Sequence, residues 1–451
     1  MRRFDAIFIG AGQAGPFLAA RMAERGMKVA MIERKFLGGT CVNAGCMPTK
    51  TLVASARAAY VSRRGAELGV KIAGEVAVDM EVVRRRAHQV TMDARNGLAD
   101  WLGTLEGVAV VYGHARFEAA DRVVVNGETL AASRIFLNVG ARPVIPDLPG
   151  INDIDYLTST SILDLDTLPR HLAVIGGSYI GLEFAQMYRR FGSKVTVIER
   201  GARVASREDG DISEAIQEIL EAEGIDVRTG AERIAFARGE EGTRISLGDA
   251  DVDASHVLVA TGRKPNTDDL GLDGAGVAVD PRGYILVDDT LATNVPGIWA
   301  LGDCNGRGAF THTSYNDFEI VAANLLDGDD RKVSSRIPAY ALYIDPPLGR
   351  AGMTEREATS SARRILVSRR AMARVGRAKE RDETRGFMKV IADADTREIL
   401  GAAILGIEGD EAIHGVIDAM NAGTRYTDLQ WSVPIHPTVS ELIPTLLRGL
   451  A

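Results

Sequence analysis

Gly38-Gly39-Thr40-Cys41-Val42-Asn43-Ala44-Gly45-Cys46-Met47-Pro48-Thr49-Lys50 places two cysteines behind a Gly-Gly turn and ahead of a proline, at the start of a helix through residues 52–62. On a regular helix a five-residue spacing separates Cα atoms by ~7.5 Å along the axis, beyond the roughly 7 Å that a disulfide spans. Pairing therefore requires the helix to deform, and Gly45 is the place for it. A helix N-terminus also lowers a thiol's pKa, so the two read as a redox-active pair rather than a structural bridge. A thiol that attacks a disulfide, or leaves from one, needs an acid/base within reach. Ile435-His436-Pro437-Thr438-Val439-Ser440-Glu441 offers one. Its histidine titrates in the right range, and Glu441 can orient the ring.

Two longer patterns would bring reagents to these thiols. Residues 4–9 form a short apolar run that enters Gly10-Ala11-Gly12-Gln13-Ala14-Gly15, followed by a helical stretch to about Arg25 and a strand over 28–32 that ends on Glu33. Strand, G-x-G-x-x-G, helix and terminal acid form the dinucleotide fingerprint: the glycines admit a pyrophosphate to the helix N-terminus and the acid binds a ribose hydroxyl. Pro16 falls in the first helical turn, where no donor is needed from it. The device recurs. Residues 171–175 enter Gly176-Gly177-Ser178-Tyr179-Ile180-Gly181, a helix runs to about Phe191, and a strand over 194–198 ends on Glu199. Each acid stands at the same separation from its first glycine, and Ser178 replaces the middle glycine of the second copy. Two dinucleotides in one chain suggest FAD and a nicotinamide nucleotide. Glu199 favours NADH, because a carboxylate there repels a 2′-phosphate, while Arg200 and Arg203 keep NADPH open.

The cysteine stretch resembles the redox motif of the class I pyridine nucleotide-disulfide oxidoreductases. These flavoprotein disulfide reductases include glutathione reductase, lipoamide dehydrogenase, mercuric reductase and the flavoproteins that resist reactive chlorine species. Three further segments are similar to that family: residues 135–143, Thr261-Gly262-Arg263-Lys264-Pro265-Asn266, and Ile298-Trp299-Ala300-Leu301-Gly302-Asp303. Val139 departs from the pattern, where many members carry threonine. The resemblance implies FAD on the first unit, held by Gly10, Gly12, Gly15 and Glu33, with Thr40, Lys50, Gly302 and Asp303 around it. It implies NAD(P)H on the second, at Gly176, Ser178, Gly181, Glu199 and Gly262, with Tyr179 covering the nicotinamide pocket. Cys46 becomes the flavin-facing thiol and Cys41 the interchange thiol that meets substrate. Lys50 and Glu183 match an ion pair beside the flavin, where a cation stabilises the reduced ring. No resident metal is implied.

The fold implied is α/β, with two doubly wound Rossmann-like units and a C-terminal α+β dimerisation domain. Its expected divisions are 1–150 and 279–332 for FAD, 151–278 for NAD(P), and 333–451 for dimerisation. Residues 79–102 read as a long helix whose Arg84-Arg85-Arg86 run is a solvated face. In the last unit, 387–391 and 398–405 read as strands and 410–422 and 439–447 as helices, with the basic residues of 363–385 on solvent-facing strand positions. Cys304 reads as a small buried hydrophobe. His312, in Thr311-His312-Thr313, is either a satisfied core histidine or a group beside the flavin.

Composition narrows the function classes. A chain of 451 residues with net charge -8 and pI near 5.6 lacks the concentrated basic surface that nucleic acid or an anionic membrane requires. No apolar stretch is long enough to span a bilayer. Three cysteines fit a reducing compartment, so the cytoplasm is expected. The expected assembly is a homodimer with a shared active site, acting on a small oxidant or disulfide. Ala20 stands where glutathione reductases carry a substrate-gripping arginine. Mercuric reduction is disfavoured by the absence of a preceding metal-binding domain and of vicinal cysteines near residue 451. Lipoamide remains open, and an oxidant or metal-ion reductase is favoured. The rival from another class is a flavin redox sensor that binds a partner and turns nothing over.

Overall fold

The structure, a computed structural model, describes residues 1–240, 242–248 and 250–450. Two five-stranded parallel sheets dominate it. In the first, the strands lie in the order Ile298–Ala300, Ile135–Leu137, Ala6–Ile9, Val29–Glu33, Val108–Tyr112. In the second the order is Leu157–Thr158, His256–Val259, His171–Ile175, Lys194–Ile198, Asp226–Arg228. Each glycine-motif strand occupies the centre of its sheet with the acid-ending strand beside it, so the two sequence copies fold alike. The central strands are apolar and buried apart from the leading His171, as a sheet covered on both faces demands. Phe8, Phe136 and Trp299 stack across three strands of the first sheet, with ring centroids 4.7 and 5.1 Å apart.

The second sheet lies within an interruption of the first, since Ile298–Ala300 returns to the first sheet after the second is complete. The two crossing segments meet: Ala141–Pro143 pairs antiparallel with Arg263–Pro265. After them comes a five-stranded antiparallel sheet, Ala339–Leu342, Leu348–Gly352, Ile399–Leu405, Phe387–Asp393, Ile365–Ala371. This is the mixed α/β plan with a separate C-terminal α+β unit. Among the described residues no helix is long and apolar enough to cross a membrane.

Six helices carry the site: α1 (Gly15–Ala23), α2 (Gly39–Ala44), α3 (Cys46–Arg63), α4 (Met80–Thr104), α5 (Tyr179–Phe191) and α6 (Thr311–Ala322). Asp79 caps α4 by accepting the Val82 amide at 3.0 Å. Arg85 and Arg86 are exposed, as on a solvated face, with Arg85 pairing to Glu81 at 3.1 Å, whereas Arg84 is half-buried against the central cavity; Arg86 also donates to Thr51 O on α3 at 3.0 Å. The basic stretch over 363–385 is also only partly strand. It leaves the sheet after Ala371 and turns into the short helix Gly376–Glu380, where Arg377 donates to Pro437 O at 2.6 Å. The expected helix over 410–422 is split into Gly409–Ala412 and His414–Asn421.

Gly45 separates α2 from α3, with φ -131° and ψ -122°. A Cβ built there would lie 2.9 Å from Thr40 O and 3.2 Å from the Cys41 Cα. The helix break therefore needs glycine because the backbone of the preceding turn is already in contact. Gly45→Ala is expected to lower stability by about 1–3 kcal/mol through this overlap, read as a fall in thermal midpoint. A midpoint equal to wild type would show that the turn relaxes freely.

Candidate active site

With the break at Gly45, Cys41 stands on α2 and Cys46 is the first residue of α3. Their thiols are unbridged in the structure. The Cys46 pKa is lowered to about 6, first by the hydrogen bond it receives from Cys41, then by Thr311 and by the charge of Lys50. Thr311 Oγ1 lies 3.2 Å from its sulfur. Cys41 moves the opposite way. Its proton is held by that same bond to Cys46, and burial adds to the effect. At neutral pH the pair is thus one thiolate and one thiol.

Lys50, one turn into α3, donates to Glu183 Oε2 of α5 at 2.8 Å and packs 4.4 Å from the centre of the Tyr343 ring. The other Glu183 oxygen accepts the Tyr343 amide at 2.9 Å. The expected pair is formed, and it joins the cysteine helix to the second nucleotide unit and to the C-terminal unit.

The two nucleotide motifs make near-identical cradles. Gly10 and Gly176 have φ of 94° and 112°, and a Cβ on either would meet a backbone carbonyl, Asn138 O at 2.4 Å or Ala260 O at 2.5 Å. Glu33 accepts the amides of Ala11 at 3.0 Å and Lys35 at 2.8 Å. Glu199 accepts those of Gly177 and Gly201, each at 2.6 Å. Both acids are thereby aimed at the mouth of their glycine turn. One cavity of about 1810 Å³ is lined by Glu33 and Gly12, by Cys41 and Cys46, and by Ser178 and Glu199. That exceeds the ~300–1,000 Å³ of a usual small-molecule site. Paired glycine cradles, ribose-directed acids and a shared cavity fit two dinucleotides meeting at the thiols.

The chain matches the family described as pyridine nucleotide-disulphide oxidoreductase over residues 4–317, and that family's dimerisation domain over 338–447. The chain belongs to the pyridine nucleotide-disulphide oxidoreductases. The probable pyridine nucleotide-disulfide oxidoreductase RclA of Escherichia coli is 36% identical, with 99% of each chain covered. A mercuric reductase of Streptomyces lividans is 34% identical over 98% of this chain and 94% of its own length. The solved Cu(II) complex of the HOCl-induced flavoprotein disulfide reductase RclA from Escherichia coli superposes with a TM-score of 0.92 at 35% identity, covering 100% of both chains. As a member of this family the protein is a flavoprotein oxidoreductase of the FAD- and NAD(P)H-dependent kind.

Other residues of this oxidoreductase fall into place around that cavity. Thr40 and Asp303 are joined through Arg263, whose guanidinium lies 3.3 Å from Thr40 Oγ1 and 3.7 Å from Asp303 Oδ2. Burial raises the Asp303 pKa and Arg263 opposes it. Gly302 presents its amide to the buried Asp317 at 2.8 Å. Gly262, with φ 135°, has open space where a Cβ would stand. His312 lines the cavity and sets Nε2 2.6 Å from Ala339 O, so that nitrogen carries the proton and Nδ1 is left as an acceptor. Burial lowers its pKa. Cys304 is fully buried and its pKa is pushed up to about 12 by burial, which makes it a packing residue.

His436 and Glu441 are not brought to the cysteines within the chain. They bond to each other, Nδ1 to Oε2 at 2.8 Å, with the imidazole 78% exposed and neither residue lining the cavity among the described residues. Asn138 was missed. Buried beneath the first cradle, it accepts the Gly15 amide at 3.1 Å and donates to Leu301 O at 2.9 Å. A polar residue directly after the apolar strand Ile135–Leu137 is the only local signal it leaves. Arg207 and Tyr343 were likewise not singled out, because a lone arginine or tyrosine carries no motif of its own, and Arg263, although inside the Thr261–Asn266 segment, gained its role only from its partners Thr40 and Asp303.

The pKa of Cys46 sets a pH profile. Above about pH 6 the sulfur is a thiolate and alkylates; below it the proton returns and reactivity is lost. Iodoacetamide labelling of Cys46 in reduced enzyme, resolved from Cys41 by peptide mass, should show that midpoint rather than one near the ~8.5 of a free thiol. Thr311→Val should raise the midpoint by about one pH unit or somewhat more, since a hydrogen bond to a charged group contributes roughly 1.5–3 kcal/mol. A midpoint unmoved by Thr311→Val would remove the hydroxyl from the account.

Proposed function

We propose that the chain spends NAD(P)H to reduce a small external oxidant, disulfide or metal ion at the Cys41–Cys46 pair. Residues 1–150 with 279–332 form the FAD unit, 151–278 the nicotinamide unit, and 333–451 the dimerisation unit. The observation that carries this is the single cavity shared by both ribose-directed acids and both thiols. Gly10, Gly12, Gly15, Glu33, Thr40, Lys50, Gly302 and Asp303 would hold FAD; Gly176, Ser178, Gly181, Glu199 and Gly262 would hold the nicotinamide nucleotide beneath Tyr179. When bound, FAD supplies the two-electron relay between nicotinamide and the cysteine disulfide.

The residues then divide the remaining work. Cys46, already a thiolate, faces the flavin, and Lys50 supplies positive charge beside it. Cys41 meets substrate, but it holds its proton and needs a base before it can attack. His436, its ring oriented by Glu441, is that base, supplied by the second subunit of a homodimer. Its exposure in the single chain and its absence from the cavity lining among the described residues support this reading. The names of the relatives, among them a mercuric reductase and a Cu(II) complex of HOCl-induced RclA, are reasons to try metal ions and chlorine oxidants as acceptors.

Purified protein assayed with disulfides, quinones, hypothiocyanous acid, Cu(II) and Hg(II) should oxidise NAD(P)H with at least one acceptor, and Cys41→Ser should abolish it. A flavin-bearing protein that turns over none of them would instead be a redox sensor. NADH should be preferred. Among the described residues Arg200 and Arg203 do not line the cavity, whereas Glu199 does. Glu199→Ala should narrow the NADH/NADPH ratio of kcat/KM about tenfold by removing one repulsion. A wild type that prefers NADPH would sink this and point to Arg207, which does line the cavity.

The shared site has its own test. Cys41→Ser and His436→Ala, each nearly inactive alone, should regain activity when co-expressed as mixed dimers, because one of the two sites then combines wild-type Cys41 with wild-type His436. If verified mixed dimers show no recovery, the dyad acts within one chain.

A further inference from the structure

Tyr179 and Glu183 lie one turn apart on the same face of α5, and Glu183 is the residue that reaches Lys50. Tyr179 therefore stands over the junction of the two nucleotide cradles, and it lines the cavity. Its hydroxyl donates to Glu208 Oε1. The same oxygen also accepts the hydroxyl of Tyr340 at 2.7 Å, from the strand Ala339–Leu342 of the C-terminal unit. The two rings pack at 5.5 Å. Glu208 is wholly buried, and its second oxygen makes no hydrogen bond to a described residue. The nearest cation is Arg350, also wholly buried, with Nε 3.9 Å from that oxygen and none of its guanidinium nitrogens hydrogen-bonded to a described residue. A buried carboxylate that keeps one oxygen for two phenols, with a fixed counter-charge behind it, is costly unless the charge is used.

We propose that Glu208 latches the gate over the nicotinamide site: it holds Tyr179 closed, and Tyr340 keeps the same oxygen satisfied when Tyr179 swings away. This rests on the proposed role of Tyr179 as the nicotinamide cover. Opening the gate then costs one hydrogen bond instead of exposing a bare buried carboxylate, with Arg350 balancing the charge throughout. Glu208, Tyr340 and Arg350 are positioning residues, since they act through Tyr179. The arrangement sets opposite signs for two substitutions. Glu208→Gln removes the charge from the acceptor and loosens Tyr179. Tyr340→Phe removes the competing donor and the substitute donor together, so Tyr179 is held more tightly and opening is less favourable.

The test uses the FAD-loaded enzyme and two readouts. Apparent KM for NADH scales inversely with the fraction of open gate. Fluorescence of the bound flavin reports the gate without turnover, since an aromatic ring closed against it quenches emission. Glu208→Gln should lower KM about fivefold and brighten the flavin, whereas Tyr340→Phe should raise KM about threefold and dim it, kcat staying within about twofold for both. Thermal midpoints show that each variant is folded, and Tyr340→Phe serves if Glu208→Gln is not. Shifts of the same sign in both variants, or unchanged fluorescence in both, overturn the latch. Failure of the underlying reading looks different: Tyr179→Ala would leave flavin emission and KM as in wild type, showing that this ring does not cover the site.

Discussion

Two nucleotide cradles can share one pair of thiols only if both parallel sheets point the carboxyl ends of their strands at the same helix. Ligands of open α/β sheets bind beyond those ends. Here α3 packs on α5 of the second unit through Lys50 and Glu183. The antiparallel contact of Ala141–Pro143 with Arg263–Pro265 closes one side of the junction. On the other side Arg57 of α3 and Arg190 of α5 both reach Asp345, while Glu223 holds Arg190 at 2.7 Å. Arg190 is buried, so that cluster is a paired and hydrogen-bonded charge whose loss would strand its partners. Lys50 and Glu183 repeat the joint next to the thiols. The position of the cysteines is therefore set by three units at once.

That placement separates the chemistry of two sulfurs that differ little in sequence. Cys46 gains the hydrogen bond from Cys41, then Thr311 and Lys50, and its charge is favoured. Cys41 donates to it and keeps a proton. Cys304 shows the alternative: a thiol with burial and no cation is driven the other way, to about 12. Asymmetry within the pair leaves one sulfur favoured as the thiolate and the other holding its proton. The same economy appears at Glu208, where a single buried oxygen serves two phenols from different units.

Much of this was legible because it is periodic or local. The glycine motifs, their flanking strands and the terminal acids recur at one spacing, and the hydrogen bonds of Glu33 and Glu199 repeat residue for residue. The deformation at Gly45 followed from the length of a helical turn against the reach of a disulfide. Where the reading of the chain was too simple, the cause was a contact made far away in sequence. Of the Arg84–Arg86 run only Arg84 is half-buried, against the cavity, and the stretch over 363–385 is only partly strand because residues after Ala371 turn to meet Pro437.

By itself, then, the sequence determined the two nucleotide-binding units, the break between the helices that carry Cys41 and Cys46, and the spacing that lets His436 meet Glu441. Each of these is encoded within about 25 neighbouring residues, where covalent spacing and backbone geometry decide. Only the tertiary structure decided which distant side chains complete them. Asn138 bridges Gly15 and Leu301, Arg263 joins Thr40 to Asp303, and Tyr340 meets Tyr179 on Glu208. An asparagine, an arginine or a tyrosine has no spacing that announces such a role. Its function comes from desolvation and from the partner it meets across a fold interface, and neither exists until the chain is folded.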